Sequence, residues 1–258
     1  MSVVPFLRRH SGLLFVALLL LLWEIAADYF KVRSLPPFSR VALAYWKIVT
    51  GSALGEHVLP SLGRALAGFA IGTVAGAAIG LAIGITRAAE PWVRPVLEFG
   101  RSLPAPVILP AALLLLGATP SMRIAIIALG CTFPVILNAI DGARRVDPLM
   151  IDTARAFGLD TMAVLRRVIF PAALPQMLAG ARISVSIALI MMVISELIAA
   201  SSGIGVLLFQ SQRLFRVADT YAVVLLLGTL GWLLTLLFVR IERRAVGWQA
   251  GWSGRGND

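Results

Sequence analysis

Six runs of mostly apolar residues lie along the chain, covering residues 12–27, 62–85, 96–116, 123–140, 179–200 and 221–239. About 20 such residues carry a helix across a bilayer. The pattern predicts an all-α, polytopic membrane protein of about six transmembrane helices, organised as one domain over residues 1–258. The first run has a second reading. Arg8 and Arg9 followed by Leu13 to Trp23 have the layout of a signal peptide. Glu24 and Asp28 stand where small uncharged residues would precede cleavage, so a retained helix is expected.

Within the second run, Gly68, Gly72, Gly76, Gly80 and Gly84 recur every fourth residue. A step of four turns a helix by about 400°, so these glycines form one slowly drifting stripe. Such stripes let membrane helices approach closely. The neighbour is not given by the pattern, and packing within the subunit is expected ahead of a dimer contact. Pro104, Pro106, Pro110 and Pro134 interrupt the third and fourth runs and predict kinks, tolerated where protein or a wet cavity satisfies the freed carbonyls.

The segments between runs are not plain linkers. Pro36-Pro37 followed by Ser39 is a helix-start signal. Val41, Tyr45 and Ile48 then share a face, predicting a short amphipathic helix on the membrane surface. Residues 141–178 are long for a membrane loop. Asp147-Pro148 reads as an N-cap with proline at the first helical position. The helix that follows stops at Gly158, the usual left-handed terminator. Asp160 caps a second helix with Met162, Leu165 and Ile169 as its apolar face, and Pro171 is expected to end it. Helices of this length need tertiary packing, so the unit's exposed surface wants a partner.

Composition narrows the class. The 258 residues are 59% hydrophobic and 14% charged, with mean hydropathy +0.90. A soluble globule, a disordered chain and a disulfide scaffold are excluded on that balance. The net charge of +10 needs no nucleic acid, because basic residues gather on the cytoplasmic loops of membrane proteins. With the N-terminus inside, 13 basic residues fall on inner segments and seven on outer ones, Arg123 counted among the outer. Both termini are therefore placed in the cytoplasm.

Chemistry within the chain is sparse. His10 and His57 lie outside the runs, so an intramembrane protease lacks its base. Cys131 stands alone, and no cysteine–histidine cluster offers a metal site. A nucleotide-binding P-loop requires Gly-Lys-Ser/Thr. The two lysines, Lys31 and Lys47, do not follow glycine, so an ATP-driven process would draw on another chain. Polar groups in or near the runs are Arg101, Ser102, Asn138, Ser184, Ser186 and Glu196. They are the candidate pathway residues, because polarity inside a membrane is costly. Arg101 has the alternative of reaching to the inner surface. Ser184 and Ser186 have that of bonding their own helix. For Glu196 three roles are open: a gate or structural contact, a group reaching surface water, or the proton site of a proton-coupled secondary transporter.

Asp152-Thr153-Ala154, three residues, Gly158, nine residues and Val168-Ile169-Phe170-Pro171 resemble the EAA loop of ABC-importer permeases. That loop reads Glu-Ala-Ala, three residues, Gly, nine residues, Ile-x-Leu-Pro. Asp152, Thr153, Val168 and Phe170 depart from it in identity, and only Thr153 in chemical type. Ser61, Arg64 and Gly68, with Glu196-Leu197-Ile198-Ala199-Ala200 and Gly203-x-Gly205, look like the nitrate/sulfonate/taurine/bicarbonate class. The resemblance implies an importer-permease-like fold in a bacterial inner membrane, two copies forming the pathway as a homodimer. Two cytoplasmic ATPase subunits would carry ATP and Mg, with no cofactor in this chain. A periplasmic or lipid-anchored solute-binding protein would deliver a small solute such as an oxyanion or sulfonate. Asp152, Thr153, Ala154, Arg155, Phe157, Gly158 and Pro171 would form the ATPase-coupling loop.

Overall fold

A computed structural model of the chain describes residues 4–86 and 90–247, apart from the side chains of residues 4–11, 13, 90 and 101. Arg87 and Arg255, and the side chains of Arg8, Arg9, His10 and Arg101, lie outside that description. The described residues are helical almost throughout and contain no strand. In chain order, α1 is Val4–Phe30 and α2 is Phe38–Thr50. A π turn at Leu54–Val58 leads into α3, Leu59–Ile85. Next come α4, Glu90–Ser102, a 3-10 turn at Ala105–Ile108, and α5, Leu109–Leu116. The remaining helices are α6 Pro120–Arg144, α7 Pro148–Ala156, α8 Thr161–Val164, α9 Phe170–Ala199, α10 Ile204–Arg213 and α11 Val217–Ala245. A second π turn, Leu165–Ile169, joins α8 to α9.

The glycine stripe finds its neighbour in α6. A Cβ on Gly68 would lie 2.6 Å from the Ile127 Cβ, on Gly76 2.7 Å from the Thr132 carbonyl, and on Gly84 2.7 Å from the Ala143 Cβ. No side chain fits, so the two backbones touch directly, as small-residue packing in lipid requires. Residue numbers rise together along this contact, so α3 and α6 run parallel. The chain between them must therefore recross the layer. It does so as the broken pair α4–α5: Leu97 packs by Ile136 and Ile140, Gly100 against the Phe133 ring, and Leu109 with Ile126 and Met122. The third run is thus not one kinked helix. It is interrupted at Leu103–Pro104, where proline supplies no N–H to continue the ladder.

On the other side of α6 lies α9, antiparallel, with Gly180 against Asn138 and Gly142 against Ala173 and Gln176. Among the described residues four uninterrupted stretches, Leu54–Ile85, Pro120–Arg144, Thr161–Ala199 and Val217–Ala245, are long and apolar enough to cross a membrane, and the α4–α5 pair makes a fifth. The first predicted run falls inside α1.

Four expectations from the sequence differ from the structure. The helix at residues 38–50 exists, but its Val41, Ala44 and Ile48 are buried in the protein with Ala222 and Val223 of α11, so that face does not lie on lipid. Ser39 does not cap it; Pro37 holds the cap position. Instead Ser39 donates N–H and O–H to the Glu24 carboxylate of α1, at 3.0 and 2.7 Å. Pro171 does not end the second loop helix. The π turn widens the spiral there, with the Phe170 N–H donating to the Leu165 carbonyl five residues back. Pro171 then falls in the first turn of α9, where its missing N–H costs little. That loop helix also buries Val164 and Ile169 while Met162 is exposed, because the wide turn rotates the apolar face.

Candidate functional site

Two constellations lie at opposite ends of the bundle. At one end the Asp147 carboxylate accepts from the Leu149 N–H at 2.9 Å, with Pro148 beginning α7. The helix closes on Gly158 at φ +80°. There the Gly158 N–H donates to the Arg155 carbonyl at 2.8 Å and the Leu159 N–H to Ala154 at 3.1 Å, a Schellman ending. Asp160 starts α8 by accepting from the Ala163 N–H at 2.7 Å. The underside is anchored: Ala154 packs with Val146, Val164, Ile169 and Ala173. Asp152, Thr153, Arg155 and Gly158 face outward. Phe157 is 81% exposed, and Leu149, Met150 and Met162 are exposed beside it in the sequence of this unit. The result is a rigid knob with an apolar and charged outer surface, joined through a continuous helix to α9. Pro171, half-buried at that joint, belongs to the connection and not to the outer surface.

At the other end is a buried charge cluster. Glu196, near the end of α9, is 1% exposed. Its carboxylate accepts from Arg64 Nη2 at 2.8 Å, from Ser61 Oγ at 2.7 Å and from the Gly205 N–H at 3.0 Å. Ser61 Oγ also accepts from the Ile204 N–H at 2.9 Å, and Arg64 donates to the Ser202 carbonyl at 3.1 Å. The Gly203 N–H donates to His57 Nδ1 at 3.1 Å. Gly203 sits at φ +141°, and a Cβ there would meet the Glu196 carboxylate. Glycine is needed at that position for both reasons. Glu196 thus ties α3, α9 and α10 together.

Of the three roles open to Glu196, the structural contact is the one observed. It does not reach surface water, and its oxygens are taken by three donors. The sequence reading had Ser61, Arg64 and Gly203 only as marks of resemblance; their convergence on Glu196 was not drawn. Arg123 was placed among the outer basic residues. It is instead 4% exposed inside α6, donating to the Ala118 carbonyl at 3.2 Å.

The remaining pathway candidates do not converge. Ser184 is buried and donates to the carbonyls of Cys131 and Gly180, at 2.9 and 3.2 Å. Asn138 donates to the Pro134 carbonyl at 2.8 Å and accepts from Gln176 at 3.1 Å. Ser102 bonds the Glu98 carbonyl one turn back at 2.7 Å. Ser186 is exposed on α9, between exposed Ile183 and Ile190. Beside that face, an apolar cleft of about 320 Å³ opens between the α4–α5 break, α6 and α9, lined by Leu103, Pro104, Phe133, Pro134 and Ile190.

Residues 68–246 match the family described as binding-protein-dependent transport system inner membrane component. The chain belongs to this family. It is 30% identical over 95% of its length to the provisional aliphatic sulfonates transport permease protein SsuC of Bacillus subtilis (strain 168), covering 89% of that protein. It is 27% identical to the taurine transport system permease protein TauC of Escherichia coli (strain K12), over 76% of this chain and 72% of TauC. In solved structures, the fold is that of a chain of the inward-facing MetNI methionine ABC transporter. The TM-score is 0.63 at 21% identity, covering 78% of this chain and 96% of that one. The chain is a multi-pass permease subunit of an ABC importer, and such subunits are not themselves catalytic. Nothing in the structure or in these relatives supports the proton-coupled alternative.

Proposed function

We propose that this permease forms the bilayer pathway of an importer for a small organic sulfonate or a related oxyanion. The names of the sulfonate and taurine permeases it resembles support that solute class. Two copies would pair through the exposed face of α9 and the apolar cleft beside it, with Ser186 the polar candidate turned out of the bundle. Arg101 stays in the pathway proposal by its position in the last turn of α4. Asn138, Ser184 and Glu196 act as packing contacts that shape the pathway wall, while exposed Ser102 bonds only its own helix. A solute-binding protein would deliver cargo at the Glu196 end, and both termini would lie in the cytoplasm.

The observation that carries the reading is the rigid knob at α7–α8, with the EAA spacing mapped onto it. Asp152, Thr153, Arg155 and Phe157 would contact a cytoplasmic ATPase that holds ATP and Mg. Ala154 and Gly158 would shape the helix they sit on. Pro171 would pass the displacement into α9. ATP-driven approach of two ATPases would move the two knobs, and through them the two copies of α9.

The knob provides the test. A Cβ on Gly158 meets nothing within 4 Å, so Gly158→Val strains the left-handed backbone without a clash, by about 1–2 kcal/mol. The variant should insert normally, co-purify poorly with the ATPase and lose ATP-dependent sulfonate uptake in proteoliposomes. Full coupled uptake by Gly158→Val would remove the knob from the mechanism. Uptake that needs no ATPase and stops when the proton gradient is collapsed would overturn the importer reading itself.

A further inference from the structure

At the bundle end that holds Glu196, a cleft of about 450 Å³ opens between the α1–α2 connection and the α10–α11 turn. Lys31, Arg33 and Arg40 line it, with Asp28 the acidic residue among them and Phe215 on the opposite wall. No ion pair among the described residues holds any of the three cations. The walls are fixed. The Trp23 indole N–H donates to the Pro36 carbonyl at 3.1 Å, Glu24 grips Ser39, and the Arg216 N–H donates to the Ser211 carbonyl at 2.9 Å.

Cations just past a helix C-terminus can be there for the helix dipole. That accounts for Lys31 and Arg33, which follow α1. It does not account for Arg40, in the first turn of α2, where the dipole is positive and a cation is disfavoured. Backbone strain supplies a second, independent observation. Among the described residues the only non-glycine residues at positive φ are Lys31, at 47°, and Phe215, at 53°. Both occupy the position after a helix where glycine is usual, and both line this cleft. Glycine would relieve the strain but would remove both side chains from the cleft.

The cleft also has a depth. It begins at Ala27 and Asp28, where the first apolar run ends. Tyr29 and Phe30 follow, exposed and stacked edge to face at 5.2 Å, and aromatic residues of this kind mark the membrane–water boundary. Below them Leu18, Leu21, Leu22 and Ile25 leave the flank of α1 bare. We propose that this cleft binds the phosphodiester headgroup of an anionic phospholipid such as phosphatidylglycerol. Lys31, Arg33 and Arg40 contact the phosphate, and the acyl chains run down the bare flank of α1.

The test uses the full-length chain in nanodiscs of mixed phosphatidylglycerol and phosphatidylcholine, with retained lipid read by native mass spectrometry. The wild type should retain phosphatidylglycerol preferentially. Each charge removed should weaken that preference by about five-fold, so Arg40→Gln reduces it and Lys31→Gln/Arg33→Gln/Arg40→Gln abolishes it. Arg145→Gln, at the far end of the bundle, should leave it intact. Equal retention of the two lipids, or an unchanged preference in the triple variant, would overturn the proposal. Displacement of the retained lipid by millimolar inorganic phosphate would reassign the cleft to a soluble anion. If the triple variant keeps its lipid preference but no longer binds the solute-binding protein, the cleft belongs to an acidic protein surface instead.

Discussion

At Glu196 a single side chain decides how three helices meet. Its carboxylate is enclosed, so its charge is tolerable only while Arg64, Ser61 and the Gly205 N–H satisfy it. Removing one member of a buried ion pair leaves the other uncompensated, at about 3–5 kcal/mol. Glu196→Gln keeps the shape but strands Arg64. It should lower the unfolding temperature of the detergent-solubilised permease by several degrees. Adding Arg64→Met to Glu196→Gln removes the stranded charge as well, and should restore part of the loss. Independent, additive losses in the double variant would show that the pair is not coupled. Glu196 itself was legible as an intramembrane carboxylate, which is costly enough to draw notice. Its side-chain partners Arg64 and Ser61 were not, because they lie more than 130 residues away in sequence and no local spacing links them.

Helix periodicity carried most of what was legible at the scale of elements. The every-fourth glycines announced a close approach, and the caps at Asp147, Gly158 and Asp160 fixed the helix–glycine–helix unit, since each is a local interaction between neighbours in sequence. What failed depended on something non-local. The glycine stripe did not name α6, since a period describes one helix and not the surface it meets. The amphipathic face of α2 looked like a membrane face because an apolar stripe is the same whether lipid or α11 covers it. The π turn before Pro171 left no mark, since its cause is the continuation of α8 into α9. The stripe offers the sharper test. Gly76→Leu places a branched side chain where a Cβ already meets Thr132 and Val135, so α3 and α6 must separate and the permease should accumulate poorly and unfold earlier. Gly63→Ala, on the same helix but with nothing within 4 Å of its Cβ, should be neutral or slightly stabilising, because alanine is favoured over glycine in a helix by about 1 kcal/mol. Equal effects from the two would mean that backbone contact with α6 is not what the stripe provides.

Direction is the property of the whole molecule on which its proposed function depends. The parallel run of α3 and α6, the broken return between them and the antiparallel α9 put the coupling knob at one end of the bundle and the Glu196 cluster at the other. The charge count predicts that the knob end is cytoplasmic, and the correction at Arg123 adds to that bias by taking a buried arginine off the outer tally. The three cations of the phospholipid cleft weigh the other way, since basic residues outside oppose the usual bias. They need a reason to be there, which an anionic headgroup supplies. Cysteine labelling reads the direction independently of transport. The native Cys131 is fully buried, so it should be silent toward a membrane-impermeant maleimide. Lys47 on α2 and Arg145 at the end of α6 are both exposed and lie at opposite ends. In spheroplasts, Lys47→Cys should label at once and Arg145→Cys only after lysis. The reverse order would put α7 outside the cell, where no ATP-hydrolysing subunit reaches it, and the knob would then need a different partner.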